Sequence, residues 1–99
     1  MLEPIHQQCL ARELSLAGIE FLLEKPLFVK YKGVKIDCGY RIDLMVGNSL
    51  TVELKSVDKL SNIHQAQILT YMKSSEVGIG LLINFNELRL NDGINRFVI

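Results

Sequence analysis

One segment of the chain, Gly78 to Phe85, is almost unbroken in apolar residues and restricts the possible folds more than any other feature. It is far shorter than the roughly 20 residues that a membrane span needs. Its length and composition are typical of a β-strand that is buried on both faces. Such a strand needs a covering layer on each side of its sheet, so the chain is expected to form a layered α/β domain.

Two segments have the apolar spacing of amphipathic helices. Pro4 suits the first turn of a helix, Gly18 is a plausible C-terminal stop, and residues 4 to 17 between them are predicted to be helical. The apolar positions of this helix are Ile5, Cys9, Leu10, Leu14, Leu16 and Ala17. In the second segment, Asn62 followed by Gln65 resembles a capping box and predicts a helix that runs to about Lys73.

The region between these helices has the period-two alternation of β-strands. The first strand begins near Pro26 and ends at the turn Lys32-Gly33, and the second runs from about Ile36 to Val46. Tyr40, Ile42, Leu44 and Val46 are predicted on one face of that second strand. The turn Gly47-Asn48-Ser49 then leads into a third strand, and residues 96 to 99 are a candidate edge strand. The predicted order is therefore helix, three strands, helix, strand.

Composition places the chain among single-domain globular proteins. It has 99 residues, of which 48% are hydrophobic and 22% charged, a balance that predicts one packed core. The formal net charge of zero gives no argument for nucleic acid or a membrane as partner. Cys9 and Cys38 form no CxxC pair and are interpreted as half-buried residues in a reducing compartment. The N-terminus lacks the features of a signal peptide, so we expect a cytoplasmic protein without a membrane segment.

The basic residues Lys25, Lys30, Lys32 and Lys35 cluster around the first hairpin. They could contact phosphates, or they could simply keep an exposed hairpin edge soluble.

The hairpin around Gly47 to Ser49 carries the charged residues that point to chemistry. If Val46 pairs with Leu50, then Asp43 lies directly across from Glu53, about 5 Å away at Cβ. Two carboxylates in that position repel each other, and a divalent metal would remove the conflict. Lys55 shares their face of the hairpin and could stabilise charge on a phosphate. Alternatively, these residues form an ordinary solvated salt-bridge ladder together with Arg41.

A polar stripe on the second helix supports a site on that side. His64, Gln67 and Tyr71 recur at helical spacing on a helix that is otherwise largely apolar. The stripe suggests a helix face turned toward the acidic residues. The alternative is a partly exposed helix on which the ring of Tyr71 merely packs.

Taken in order, Asp43, the triplet Glu53-Leu54-Lys55 and the spacing from Gln67 to Tyr71 resemble the PD-(D/E)xK nuclease superfamily. The last element is similar to the QxxxY element of its RecB-like exonuclease branch. The chain more closely resembles the small bacterial GxxExxY proteins. The matching segments cover residues 31–33, 39–44, 52–57, 64–71 and 80–85.

The resemblance implies a restriction-endonuclease-like core of order α-β-β-β-α-β, a mixed sheet flanked by helices. It implies cleavage of phosphodiester bonds with Mg²⁺ or Mn²⁺, with DNA as the expected substrate and RNA as the alternative. Asp43, Glu53 and Glu3 would be metal ligands, Glu3 matching the glutamate of the GxxExxY motif. Lys55 would be the catalytic lysine. Gln67 and Tyr71 would orient the site or the phosphate.

The start of the chain departs from the GxxExxY pattern. The glycine of the motif would fall before Met1, His6 replaces its tyrosine, and an upstream helix of these proteins is absent. We therefore expect residues 1 to 99 to be one domain truncated at its N-terminus, with uncovered apolar surface that favours a homodimer. The alternative function is a non-catalytic or degenerate nuclease-fold module that binds nucleic acid or a protein partner.

Overall fold

The computed structural model describes residues 3–86 and 90–99, with side chains described for residues 5–86 and 92–99. The elements follow the predicted order: α1 (Glu3–Leu16), β1 (Phe21–Tyr31), β2 (Val34–Val46), β3 (Leu50–Lys55), α2 (Asn62–Ser75), β4 (Ile79–Asn84) and β5 (Ile94–Val98). A short 3₁₀ turn, Leu90–Gly93, precedes β5. None of the described helices is long and apolar enough to cross a membrane.

The five strands form one mixed sheet in the order β1-β2-β3-β4-β5. Only the β3–β4 pair is parallel, and helix α2 connects these two strands as parallel pairing requires. Leu82 packs against Ile68 and Met72 of α2, whereas its neighbours Leu81 and Ile83 join the core cluster that contains Leu10 and Leu14 of α1. The two helices therefore cover opposite faces of the sheet, and the predicted restriction-endonuclease-like α/β fold is confirmed.

Helix α1 buries a different stripe from the one predicted. Gln7 and Ala11 are buried, and Leu10 and Leu14 pack against the sheet beside them. The prediction was wrong for four of its apolar residues, because Ile5 and Leu16 are 49% and 64% exposed and Cys9 and Ala17 are also exposed. A helix covered on one side only can bury a single stripe, and here the polar Gln7 belongs to that stripe.

The β1–β2 hairpin is longer and less regular than its alternation predicted. β1 begins at Phe21 rather than near Pro26. The predicted common face of β2 is wrong, because Ile42 packs with Met45 and Tyr71 whereas Leu44 packs in the α1 cluster. The irregularity coincides with Glu24, whose φ of 52° is left-handed. A residue in that conformation rotates the strand beyond it, so strict alternation fails on both strands of the hairpin.

The start of helix α2 lies one residue earlier than predicted. Ser61 rather than Asn62 is the N-cap, and His64 rather than Gln65 is the reciprocal residue. The Ser61 N–H donates to His64 Nδ1 over 3.0 Å. His64 thus caps its own helix and does not join Gln67 and Tyr71 in a stripe that faces the sheet.

Candidate active site

Asp43 and Glu53 lie where the backbone ladder between β2 and β3 ends. The predicted pairing of Val46 with Leu50 is confirmed, and the ladder continues to the pair Leu44 and Val52. Beyond this pair, side-chain carboxyl oxygens rather than backbone oxygens accept the hydrogen bonds between the two strands. The Leu54 N–H donates to Asp43 Oδ2 over 2.8 Å, and the Asp43 N–H donates to Glu53 Oε1 over 3.3 Å. Each side chain is therefore held by the backbone of the opposite strand.

Glu53 is buried and Asp43 is half-buried, which changes the protonation of the pair. Glu53 is only 5% exposed. Burial raises the pKa of Glu53 to about 9, and the charge of Asp43 and a hydrogen bond between the two carboxyl groups add to the rise. Burial also raises the pKa of Asp43. At neutral pH the metal-free pair consequently retains a proton that the two carboxyl groups share.

The acidic pair is not the solvated salt-bridge ladder that was the alternative interpretation, because Glu53 is buried and Asp43 is half-buried. Arg41, which would anchor such a ladder, pairs along its own strand with Asp37, Nη1 to Oδ1, over 3.1 Å. Both side chains of that ion pair are about two-fifths exposed. The backbone N–H of Gly39 and the side chain of Arg41 hold the pKa of Asp37 below its ordinary value.

Lys55 is the last residue of β3, two positions after Glu53. Its side chain is half-buried, and its positive charge favours the ionised forms of both Asp43 and Glu53 against the effect of burial. No ion pair joins Lys55 to either carboxyl group among the described residues, so the ammonium group acts on both from beyond ion-pair distance. The structure brings Asp43, Glu53 and Lys55 together at one end of β3.

Tyr71 of helix α2 faces the same place. It is 8% exposed, and burial raises the pKa of its hydroxyl to about 12, with further contributions from Glu53, Tyr40 and Asp43. The phenol therefore stays protonated and can donate a hydrogen bond. Gln67, one turn earlier, lines a groove beside Tyr71. Within the described part of the chain, no hydrogen bond joins Gln67 to either carboxyl group.

Two residues near the acidic pair were missed by the sequence analysis. Gln7 Nε2 donates to the backbone oxygen of Asp43 and to Glu24 Oε1, both over 2.8 Å. Glu24 lies opposite Asp43 in the β1–β2 register, between the pairs Leu23–Leu44 and Lys25–Ile42. A polar residue within the apolar stripe of α1 was the signal that could have identified Gln7. Glu24 had no such signal, because it preceded the predicted start of its strand.

The acidic pair fits a small divalent cation. Mg²⁺ prefers hard oxygen donors and is commonly held by one or two carboxylates together with water and phosphate. Two adjacent carboxyl groups that must otherwise share a proton supply that donor set. Among the residues that the structure describes, no three His, Cys, Asp or Glu side chains form a metal cluster. Glu3, the third predicted ligand, is the first residue of α1, and its side chain lies outside the described residues.

Among known proteins, one family model matches the chain. No curated protein and no solved structure matches the chain significantly. The family model of the PD-(D/E)XK nuclease superfamily matches residues 1–97, which is nearly the whole chain. The chain therefore belongs to the PD-(D/E)XK nuclease superfamily.

Proposed function

We propose that this protein is a metal-dependent nuclease that hydrolyses phosphodiester bonds of DNA at Asp43, Glu53 and Lys55. One observation carries the proposal: the buried carboxyl group of Glu53 and the half-buried carboxyl group of Asp43 are held side by side by backbone N–H groups of opposite strands. Such a pair is unfavourable in a folded protein unless a cation or a proton relieves it. Nuclease-like activity is also what membership of the superfamily suggests.

Asp43 and Glu53 would hold the metal ion, and Glu3 stays a predicted third ligand. A bound Mg²⁺ or Mn²⁺ would act as a Lewis acid and would lower the pKa of a water molecule in the site. The protein contributes preorganisation, because the Leu54 and Asp43 N–H groups fix the two carboxyl groups before any ligand arrives. Gln7 adds to this by tying the backbone of Asp43 to helix α1.

Lys55 and Tyr71 supply the positive charge and the proton donor of the proposed site. The Lys55 ammonium lies near the carboxyl groups but is not a metal ligand, so it is free to stabilise negative charge that develops on a phosphate. The Tyr71 hydroxyl, whose pKa is raised to about 12, can donate a hydrogen bond to a phosphate oxygen. Gln67 would orient the substrate from the groove rather than at the metal.

A calorimetric titration of the purified protein with Mg²⁺ or Mn²⁺, paired with a cleavage assay, tests this proposal. We expect metal binding by the natural protein and none by Asp43→Asn, which removes a charged ligand while keeping its shape. Asp37→Asn is the matched control, because Asp37 lies on the same strand but is exposed. Cleavage of labelled DNA and RNA strands identifies the substrate. Metal binding without any cleavage would refute the nuclease proposal and favour the non-catalytic module.

A homodimer and a cytoplasmic location also stay proposals, as does membership of the GxxExxY branch. The dimer is supported by large apolar side chains that are more than half exposed near the two sheet edges, namely Leu22, Tyr31, Val34, Val98 and Ile99. Exposed apolar surface of this kind often marks an interface. Sedimentation of the protein as a monomer at roughly tens of micromolar would contradict the dimer.

A further inference from the structure

An apolar groove of about 350 Å³ lies between helix α2 and the β1–β2 hairpin. Leu27 and Val29 contribute apolar wall on the hairpin side, and Gln67 and Tyr71 contribute from α2. Tyr71 connects the groove to the site, because the same side chain lines the groove and is influenced by the charges of Glu53 and Asp43. A ligand in this groove would therefore lie next to the reacting groups.

A bulge in β2 places a second tyrosine at the groove. Pro26 pairs with Arg41 and Phe28 with Asp37, so one residue of β1 faces three residues of β2. Gly39, at the centre of the bulge, has a φ of 78° that glycine adopts without strain. Bulges of this kind redirect side chains near functional sites. Here the 54%-exposed ring of Tyr40 lies 6.2 Å from the Tyr71 ring, centroid to centroid.

The groove continues into a basic depression, since Val29 and Ser74 line both. Lys30 and Lys35 line the depression and are directly opposed across the hairpin, where like charges destabilise a sheet. Lys35 Nζ lies 4.3 Å from the centroid of the Phe28 ring. Glu76 also lines the depression, but neither lysine forms an ion pair within the described residues. Two unpaired, facing cations are suited to an anion.

We propose that this groove binds single-stranded DNA, with an unpaired base stacked on Tyr40 and a backbone phosphate on Lys30 and Lys35. This inference rests on the proposed function and adds its substrate class. Proteins bind single strands by combining aromatic stacking with a positive track for the backbone, and both parts are present here in two adjoining depressions that share Val29 and Ser74. A duplex does not fit the arrangement, because its bases are stacked on each other and offer no free face to Tyr40.

Fluorescence anisotropy with a labelled oligo-dT strand tests the inference directly. The measurement is made in EDTA, so that no strand is cleaved. Tyr40→Ala should weaken binding about 5- to 150-fold, the range that follows from losing one stacked base. Tyr40→Phe should bind like the natural protein, because stacking needs the ring and not the hydroxyl. The control is Tyr31→Ala, since Tyr31 is a similarly exposed tyrosine of the same hairpin that does not line the groove.

Two competitors and one charge variant complete the binding test. Unlabelled oligo-dT should displace the labelled strand at least about tenfold better than a duplex of equal length or an abasic strand of equal charge. Lys35→Gln should weaken binding and flatten its dependence on salt, whereas Lys59→Gln, in the loop between β3 and α2 and lining neither depression, should not. Equal competition by the three nucleic acids, or equal effects of Tyr40→Ala and Tyr31→Ala, would overturn the inference.

The two free cysteines give a test that needs no substitution. Cys38 lines the groove, whereas Cys9 is exposed on helix α1. Oligo-dT should slow maleimide labelling of Cys38 severalfold and leave Cys9 unchanged, as read by mass spectrometry. Unaltered labelling of Cys38 at saturating oligo-dT would place the strand elsewhere and overturn the inference. Because both tests measure binding without metal, they separate the groove from the proposed nuclease activity: loss of cleavage alone leaves this inference standing.

Discussion

The acidic pair, in which Glu53 is buried, predicts an unusual dependence of stability on pH in the absence of metal. The pKa of Glu53 rises from an ordinary 4.5 to about 9 in the folded protein. Between these two values the folded chain binds a proton that the unfolded chain has released. The free energy of unfolding should therefore fall as pH rises from about 5 to 9, and the loss should be complete above about pH 9.

The magnitude follows from the proton count. One proton difference gives a slope of at most about 1.4 kcal/mol per pH unit. Between pH 5 and 7 the loss would reach about 3 kcal/mol as an upper limit, which is large for a domain whose total stability is about 5–15 kcal/mol. Water entering the site and movement of the side chains both reduce the slope, so we expect roughly half of that limit or more.

Urea denaturation in EDTA at several pH values measures this slope. Glu53→Gln keeps the shape of the side chain and removes its titration, so the pH dependence of this variant should be nearly flat compared with the natural protein. Glu13→Gln, on the exposed side of helix α1, is the control and should retain the natural slope. The reasoning is refuted if Glu53→Gln and the natural protein lose stability in parallel between pH 5 and 9.

Three further predictions concern the site and its supports. Metal binding must displace the shared proton. The apparent affinity for Mg²⁺ should therefore rise by up to about tenfold per pH unit below pH 9. Calorimetry in two buffers should detect the released proton. Gln7→Ala should lower the free energy of unfolding by about 1–3 kcal/mol, because it leaves buried polar groups unpaired. The exposed control Gln8→Ala should lower it little. Equal urea midpoints for the two variants would contradict the role of Gln7. Gly80→Ala should destabilise by about 1–3 kcal/mol, because its Cβ would lie 2.6 Å from Met72 Sδ. Gly78→Ala, whose Cβ meets nothing closer than 3.7 Å, is the control, and thermal melts that rank the two variants the other way would contradict the packing argument.

The order of elements could be predicted from sequence because each element has a strong local signal. The apolar run that includes Leu81, Leu82 and Ile83 required cover on both faces, and it obtains that cover from α1 and α2. The three-residue turn fixed the β2–β3 register, and with it the opposition of Asp43 and Glu53. Where a tight turn sets the register, sequence alone determines which residues meet in the parts of the strands next to it.

The faces of the strands, the burial of Gln7 and the N-cap of α2 depended on structure that the periodicity of the sequence does not encode. Glu24 adopts a left-handed conformation without being glycine or asparagine, so the break in the faces of β1 and β2 had no local signal. Gln7 is buried because its amide satisfies Asp43 and Glu24, two residues far away in sequence. The N-cap of α2 lies one position before the predicted residue. Ser61 and His64 have the same spacing as Asn62 and Gln65, and they form the capping box instead.

In the proposed site Lys55 would stabilise charge on a phosphate beside a metal held by Asp43 and Glu53, and one comparison of cleavage rates tests this role. Cleavage of a labelled DNA strand in Mn²⁺ or Mg²⁺ is measured for the natural protein, for Lys55→Ala and for the exposed control Lys59→Ala. We predict that Lys55→Ala loses about 100-fold or more in rate while it still binds metal, and that Lys59→Ala cleaves normally. Metal-dependent cleavage that persists undiminished in Lys55→Ala, or a folded natural protein that binds no metal, would contradict the account.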